Sequence, residues 1–105
     1  MEAFVVLCTV PDEGTATRLA ETLVQNHLAA CINIIGPHKS VYEWKGKLEH
    51  DTEFLLIMKT SRQCFEALAE KVVQLHPYEV PEIIALPVLA GNAAYLDWVK
   101  QQTAS

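Results

Sequence analysis

Ser40-Val41-Tyr42-Glu43-Trp44-Lys45-Gly46-Lys47-Leu48 is the stretch on which the fold depends. Lys45-Gly46 reads as a tight turn between two strand-forming runs. Upstream, residues 30–35 begin the first arm, Gly36-Pro37 interrupts it and residues 40–44 resume it. Proline has no N–H to donate, so this arm is an edge strand or carries a bulge there. Downstream, residues 47–59 form the return arm, whose far half, Phe54-Leu55-Leu56-Ile57-Met58, is apolar at every position.

The same organisation extends outward from this hairpin. On the N-terminal side, Phe4-Val5-Val6-Leu7-Cys8-Thr9-Val10 is a strand broken by Pro11, and Asp12 can cap a helix whose apolar stripe is Ala16, Leu19, Ala20, Leu23, Val24 and Leu28. On the C-terminal side, Thr60 and Gln63 have the spacing of a capping box, and Phe65, Leu68, Val72 and Leu75 form the stripe of a second helix. His76-Pro77-Tyr78-Glu79-Val80-Pro81 is a rigid connection, because each proline biases its predecessor away from helix. Residues 83–89 read as a fourth strand, and Gly91-Asn92 opens a short third helix with Tyr95, Trp98 and Val99 on one side. The order β-α-β-β-α-β predicts an α+β, ferredoxin-like split β-α-β antiparallel sheet with an extra C-terminal helix, in a single domain of residues 1–105. Right-handed crossovers place both main helices on one face.

Composition narrows the function. Half of the 105 residues are hydrophobic and 20% are charged, so the chain can build a core. The net charge of −5 argues against nucleic acid and against anionic membranes as partners. Met1-Glu2-Ala3-Phe4 is acidic where a signal peptide is basic, and no apolar run approaches a membrane span. Three cysteines without a CxxC suit free thiols in a reducing compartment, so a cytoplasmic protein is expected.

The apolar runs at 4–8 and 54–58 point to a sheet buried on both faces, and a short third helix cannot cover the whole second face. Each hairpin arm would also extend about 44 Å at 3.4 Å per residue and overshoot its own sheet. A second copy of the chain is the economical cover for both, so a homo-oligomer is expected.

No nucleophile-elbow, P-loop, zincin or dinucleotide motif is present, and no enzymatic activity is expected. Topology places Cys8, at the end of the first strand, and His76, at the end of the second helix, near one edge of the sheet. Thiolate and imidazole suit copper or zinc. Two ligands are too few for a tight site, so Asp12, Glu79 or Glu82, another subunit or water would have to add to them. Against this, a free cysteine is most often a small buried hydrophobe, and a histidine at a helix C-terminus interacts with the helix dipole. A second constellation is Tyr42, Trp44, Lys59, Tyr78 and Glu82. It suggests either a structural ion pair at a subunit interface or a small-molecule pocket between subunits, with Glu53 or Glu82 as partner of Lys59. Cys31 and Cys64 read as core or helix-face residues, and His27, His38 and His50 as surface residues.

Five stretches together resemble the CutA family of divalent-cation tolerance proteins: Val6-Leu7-Cys8-Thr9-Val10-Pro11-Asp12, Leu28-Ala29-Ala30-Cys31-Ile32-Asn33-Ile34, Ser40-Val41-Tyr42-Glu43-Trp44-Lys45-Gly46, Met58-Lys59-Thr60 and His76-Pro77-Tyr78-Glu79-Val80-Pro81-Glu82. The resemblance implies a tight homotrimer built like the PII signalling proteins, involved in copper or other divalent-cation tolerance. It also implies a copper site made from a cysteine ending the first strand and a His-His pair before Pro-Tyr. Cys8 matches that cysteine and His76 the second histidine, while Leu75 stands in place of the first. The alternative is a PII-like signalling or scaffold trimer that binds a small anion, another small ligand or a protein partner in its inter-subunit clefts.

Overall fold

The computed structural model describes residues 2–103; Met1, Ala104 and Ser105, at the ends of the expected domain, lie outside the described residues. Strand β1 (Ala3–Val10) is followed by helix α1 (Glu13–Gln25), strands β2 (Cys31–Trp44) and β3 (Lys47–Ser61), helix α2 (Phe65–Leu75), strand β4 (Ile84–Pro87) and helix α3 (Ala93–Gln102). All pairings in the sheet are antiparallel and its order is β2-β3-β1-β4, as the split β-α-β pattern requires.

Local chemistry sets these elements. Pro11 ends β1, and the Asp12 carboxylate caps α1 by accepting the Thr15 N–H at 2.7 Å. That bond above all lowers the Asp12 carboxyl pKa from its ordinary value. Lys45 and Gly46 both take positive φ, 51° and 80°, the geometry of a two-residue turn that matches strand twist.

One face of the sheet is sealed. Val6, Cys8 and Val10 of β1 and Leu56 and Met58 of β3 pack against Ala16, Leu19 and Leu23 of α1 and Leu68 and Val72 of α2. Alternation turns Val5, Leu7, Leu55 and Ile57 to the opposite face, where each is only partly buried. Helix α3 covers one end of that open face, with Tyr95 beside Cys31. Elsewhere it stays bare: Ile35, Ile84 and Leu86, which pair with Leu55, Leu7 and Val5, are each 50% exposed.

As the missing proline N–H leads one to expect, β2 is an edge strand and carries a bulge at Gly36-Pro37, with pairing stepping from Ile35↔Leu55 to His38↔Glu53. The extra residue switches the parity of the strand, so His38, Ser40, Tyr42 and Trp44 point to the open face that Ile35 occupies before the bulge. Thr60 does not cap α2. It pairs with Phe4 inside the sheet and gives its hydroxyl proton to the Leu28 carbonyl at 2.6 Å, so ladder bonds displace the capping box. A 3-10 turn over Arg62–Cys64 intervenes, and the helix starts without a side-chain cap. Leu75 is 47% exposed rather than packed, because the stripe from Leu68 and Val72 continues to His76. Strand β4 is shorter than expected, since its ladder on β1 runs only from Phe4 to Leu7.

Candidate functional site

Pro77 and Pro81 bracket the segment that carries the site. Helix α2 ends at Leu75, and His76 is extended, with φ −77° and ψ 136°. This geometry turns the His76 ring inward, to 7% exposure. Its Nδ1 accepts the Tyr78 backbone N–H at 3.1 Å. A backbone N–H can only donate, so the ring proton sits on Nε2, which donates to the Thr9 carbonyl at 2.7 Å. The Tyr78 ring lies tilted against it with centroids 4.7 Å apart. His76 thus pins the loop to the end of β1, and both its nitrogens are engaged.

Cys8 lies next to this pin but faces the other way. It is fully buried among the core residues beneath the helices, and its thiol makes only a long contact to the Thr9 carbonyl, 3.7 Å. Burial, reinforced by the charges of Glu82 and Glu53, pushes the thiol pKa up to about 12. At neutral pH it is a thiol, not a thiolate. Cys8 and His76 therefore meet at Thr9 with the thiol protonated and both imidazole nitrogens hydrogen-bonded. Among the described residues no three His, Cys, Asp or Glu side chains are grouped to hold a metal ion. Of the further ligands considered, Asp12 is occupied as a helix cap, whereas Glu79 and Glu82 line a groove.

That groove, about 720 Å³ in volume, lies between the outer hairpin and the loop after His76. Tyr42, Trp44, Tyr78 and Glu82 all line it, and Thr9 and Glu53 contribute from the open face of the sheet. Glu53 is only 5% exposed and accepts the Tyr78 hydroxyl at 2.7 Å through Oε2. The Tyr42 hydroxyl donates to Asp51. That bond first, then desolvation and nearby carboxylates, raises the Tyr42 pKa to about 12; burial first, then the bond to Glu53, raises that of Tyr78 as well. Both remain protonated phenols whose protons are committed to carboxylates. Among the described residues no Lys, Arg or His lines the groove.

Lys59 is the one residue of the expected constellation that lies elsewhere in the protomer. Strand β3 is continuous, and Lys59 lies six positions along it from Glu53, roughly 20 Å at 3.4 Å per residue. Its ammonium donates to the Asn33 amide oxygen, so an amide takes the place of the expected carboxylate. His38 also departs from the expectation of a surface residue: it pairs across the ladder with Glu53, and its Nε2 is buried without a hydrogen-bond partner. His27 contacts the Gln102 carbonyl through Nδ1 at 3.0 Å, His50 is exposed, and Cys64 donates to the Thr103 carbonyl at 2.9 Å. Asp51, which accepts from Tyr42, and Ser40, which lines the groove, carry no motif of their own in the sequence. Counting back from the turn at 45–46 pairs Ser40 with Asp51 and would have found them.

Comparison with known proteins agrees with this architecture. Residues 4–102 match the CutA1 divalent ion tolerance protein family. The divalent-cation tolerance protein CutA of Thermus thermophilus is 50% identical over 99 residues, 94% of this chain and 96% of that protein. The chloroplastic protein CutA of Arabidopsis thaliana is 48% identical over 101 residues, 96% of this chain but 56% of the plant protein. The chain thus spans about half the length of its plant and animal relatives. The crystal structure of CutA1 from Oryza sativa superposes with a TM-score of 0.97 at 45% identity, covering 99% of this chain and 95% of that one. This chain belongs to the CutA1 divalent ion tolerance protein family.

Proposed function

We propose that the chain serves divalent-cation tolerance in the cytoplasm as a homotrimer that binds a cation and catalyses no reaction. The observation that carries this reading is the charge of the groove: Glu53, Glu79 and Glu82 line it, and among the described residues no basic side chain does. Copper or another divalent ion is the cargo that the family suggests. Trimerisation is supported by the half-exposed apolar face and by the hairpin that outruns its sheet.

Cys8 and His76 remain the thiol–imidazole pair for copper. Their use requires His76 to release Thr9 and Tyr78, and Cys8 to lose its proton to the incoming metal. Native mass spectrometry of protein purified without chelator reads subunit count and bound metal together; a monomer without metal would sink the reading. Titrating Cu(I) and Cu(II) against wild type, Cys8→Ser and His76→Ala then locates the site, since equal binding by all three removes both residues from it.

The groove also favours a second reading, a PII-like trimer that takes a small ligand or a protein partner at its subunit junctions. A thermal-shift screen of metabolites tests this reading. Hits that vanish in Tyr78→Ala support it, and an absence of hits in wild type counts against it. A cationic or neutral ligand suits this groove better than a small anion, because Lys59 is not in it.

A further inference from the structure

We propose that the groove beside Glu53 binds a small organic cation, a protonated amine or guanidinium with an apolar body. This inference rests on the reading of the groove as a ligand site and adds the chemical class of the ligand.

Glu53 is the first ground. It is 5% exposed, and the hydroxyl of Tyr78, a neutral donor, is its hydrogen-bond partner. Among the described residues the only ion pair joins Arg62 to Glu2, so no cation stands beside this buried carboxylate; His38, its cross-strand neighbour, forms no pair with it. A carboxylate withdrawn from water is stabilised strongly by a counter-charge that enters the same space.

The walls supply the second ground. Tyr42, Trp44 and Tyr78 offer aromatic faces, which attract a cation and pack an apolar body at once. The Lys45 ammonium, 5.8 Å from the Trp44 ring centroid, already exploits one such face from within the chain. Both tyrosine protons are committed to carboxylates, which removes the phenolic donors that an anion would use.

Coordination chemistry separates this ligand from a bare metal ion. A metal ion needs several oxygen, nitrogen or sulfur donors converging at about 2.0–2.6 Å. No three acidic, histidine or cysteine side chains among the described residues are grouped in that way. An organic cation needs one carboxylate and aromatic faces at van der Waals distance, which is what Glu53 and its neighbours provide.

Isothermal titration calorimetry of the full chain, cleared of metal with chelator and held at constant ionic strength, tests the proposal with agmatine and putrescine as probes. The expected result is saturable binding of agmatine to the wild type, weakened about thirtyfold by Glu53→Gln, which removes one partner of a buried charge pair. Trp44→Leu should weaken binding about threefold through loss of the cation–π contact. Trp44 is 45% exposed, so this variant keeps the test available even where Glu53→Gln fails to fold. No saturable heat with either probe, or equal affinity in wild type and Trp44→Leu, would overturn the proposal. Parallel titrations with Zn²⁺ and Cu²⁺ separate the two readings. Metal binding without agmatine binding sinks the organic-cation inference alone, whereas agmatine binding without metal binding supports it and sinks the metal reading.

Discussion

The inner half of β3, residues 54–61, and its outer half, residues 47–53, share one backbone and little else. The inner half pairs with β1 on one side, and its Leu56 and Met58 are fully buried beneath α1 and α2. The outer half pairs only with β2, beyond the reach of β1. Its neighbourhood is a row of exposed apolar side chains, Val41, Tyr42, Trp44 and Leu48. An isolated two-stranded ribbon is marginal in water. Stability is therefore concentrated at one end of the strand. The other end carries the groove and the exposed apolar side chains.

Cutting into the inner half should have the largest effect. Leu56→Ala leaves a cavity between the sheet and both helices, and urea unfolding should report a loss of about 2–5 kcal/mol. The junction of the two halves comes next. A Cβ at Gly36 would stand 2.7 Å from Cδ2 of Phe54, so Gly36→Ala forces the bulge or the ring to shift, a cost of about 1–3 kcal/mol in the same assay. The groove should lose ligand in this variant too, because the bulge aims Tyr42 and Trp44.

Alkaline pH probes the inner face more gently. The Cys8 thiol ionises at 9.0 in its ordinary state and at about 12 in the folded chain. Between these values the unfolded state has released a proton that the folded state retains. The Cys8 contribution is thus full below pH 9.0 and is lost as pH rises toward 12. Urea midpoints measured at rising pH should fall, and Cys8→Ala should make the fall shallower, the remainder coming from the tyrosines whose pKa values are also raised. Leu48→Ser, at the 66% exposed tip, should change protomer stability by no more than about 0.5 kcal/mol. A loss as large as that of Leu56→Ala would erase the distinction between the two halves, and a stability that depends on protein concentration would assign the tip to an interface.

Much of this organisation is legible in the residues. Pro11-Asp12, Lys45-Gly46 and Gly91-Asn92 mark ends and turns by local backbone chemistry, and the apolar stripe of α1 follows from helical period. The exceptions share a cause. Thr60 has the spacing of a cap yet joins the ladder because Phe4 is opposite it. His76, not Leu75, continues the buried stripe, because Pro77 turns the chain and two backbone groups are there to receive its ring. In each case a distant segment offers a stronger partner than the local one.

The same holds for the site. Tyr42, Trp44, Tyr78 and Glu82 stand out in the sequence as amphipathic residues near strand ends, and spacing alone groups Lys59 with them. Sequence by itself determined the order of elements, the place of the turns and the excess of apolar surface, because each depends on neighbours within a few residues. Tertiary structure decided which face those aromatics share, that Lys59 stays away from them, that both His76 nitrogens are hydrogen-bonded and that Cys8 is buried. The bulge at Gly36-Pro37 inverts the parity of β2, and only pairing with β3 fixes where that inversion falls.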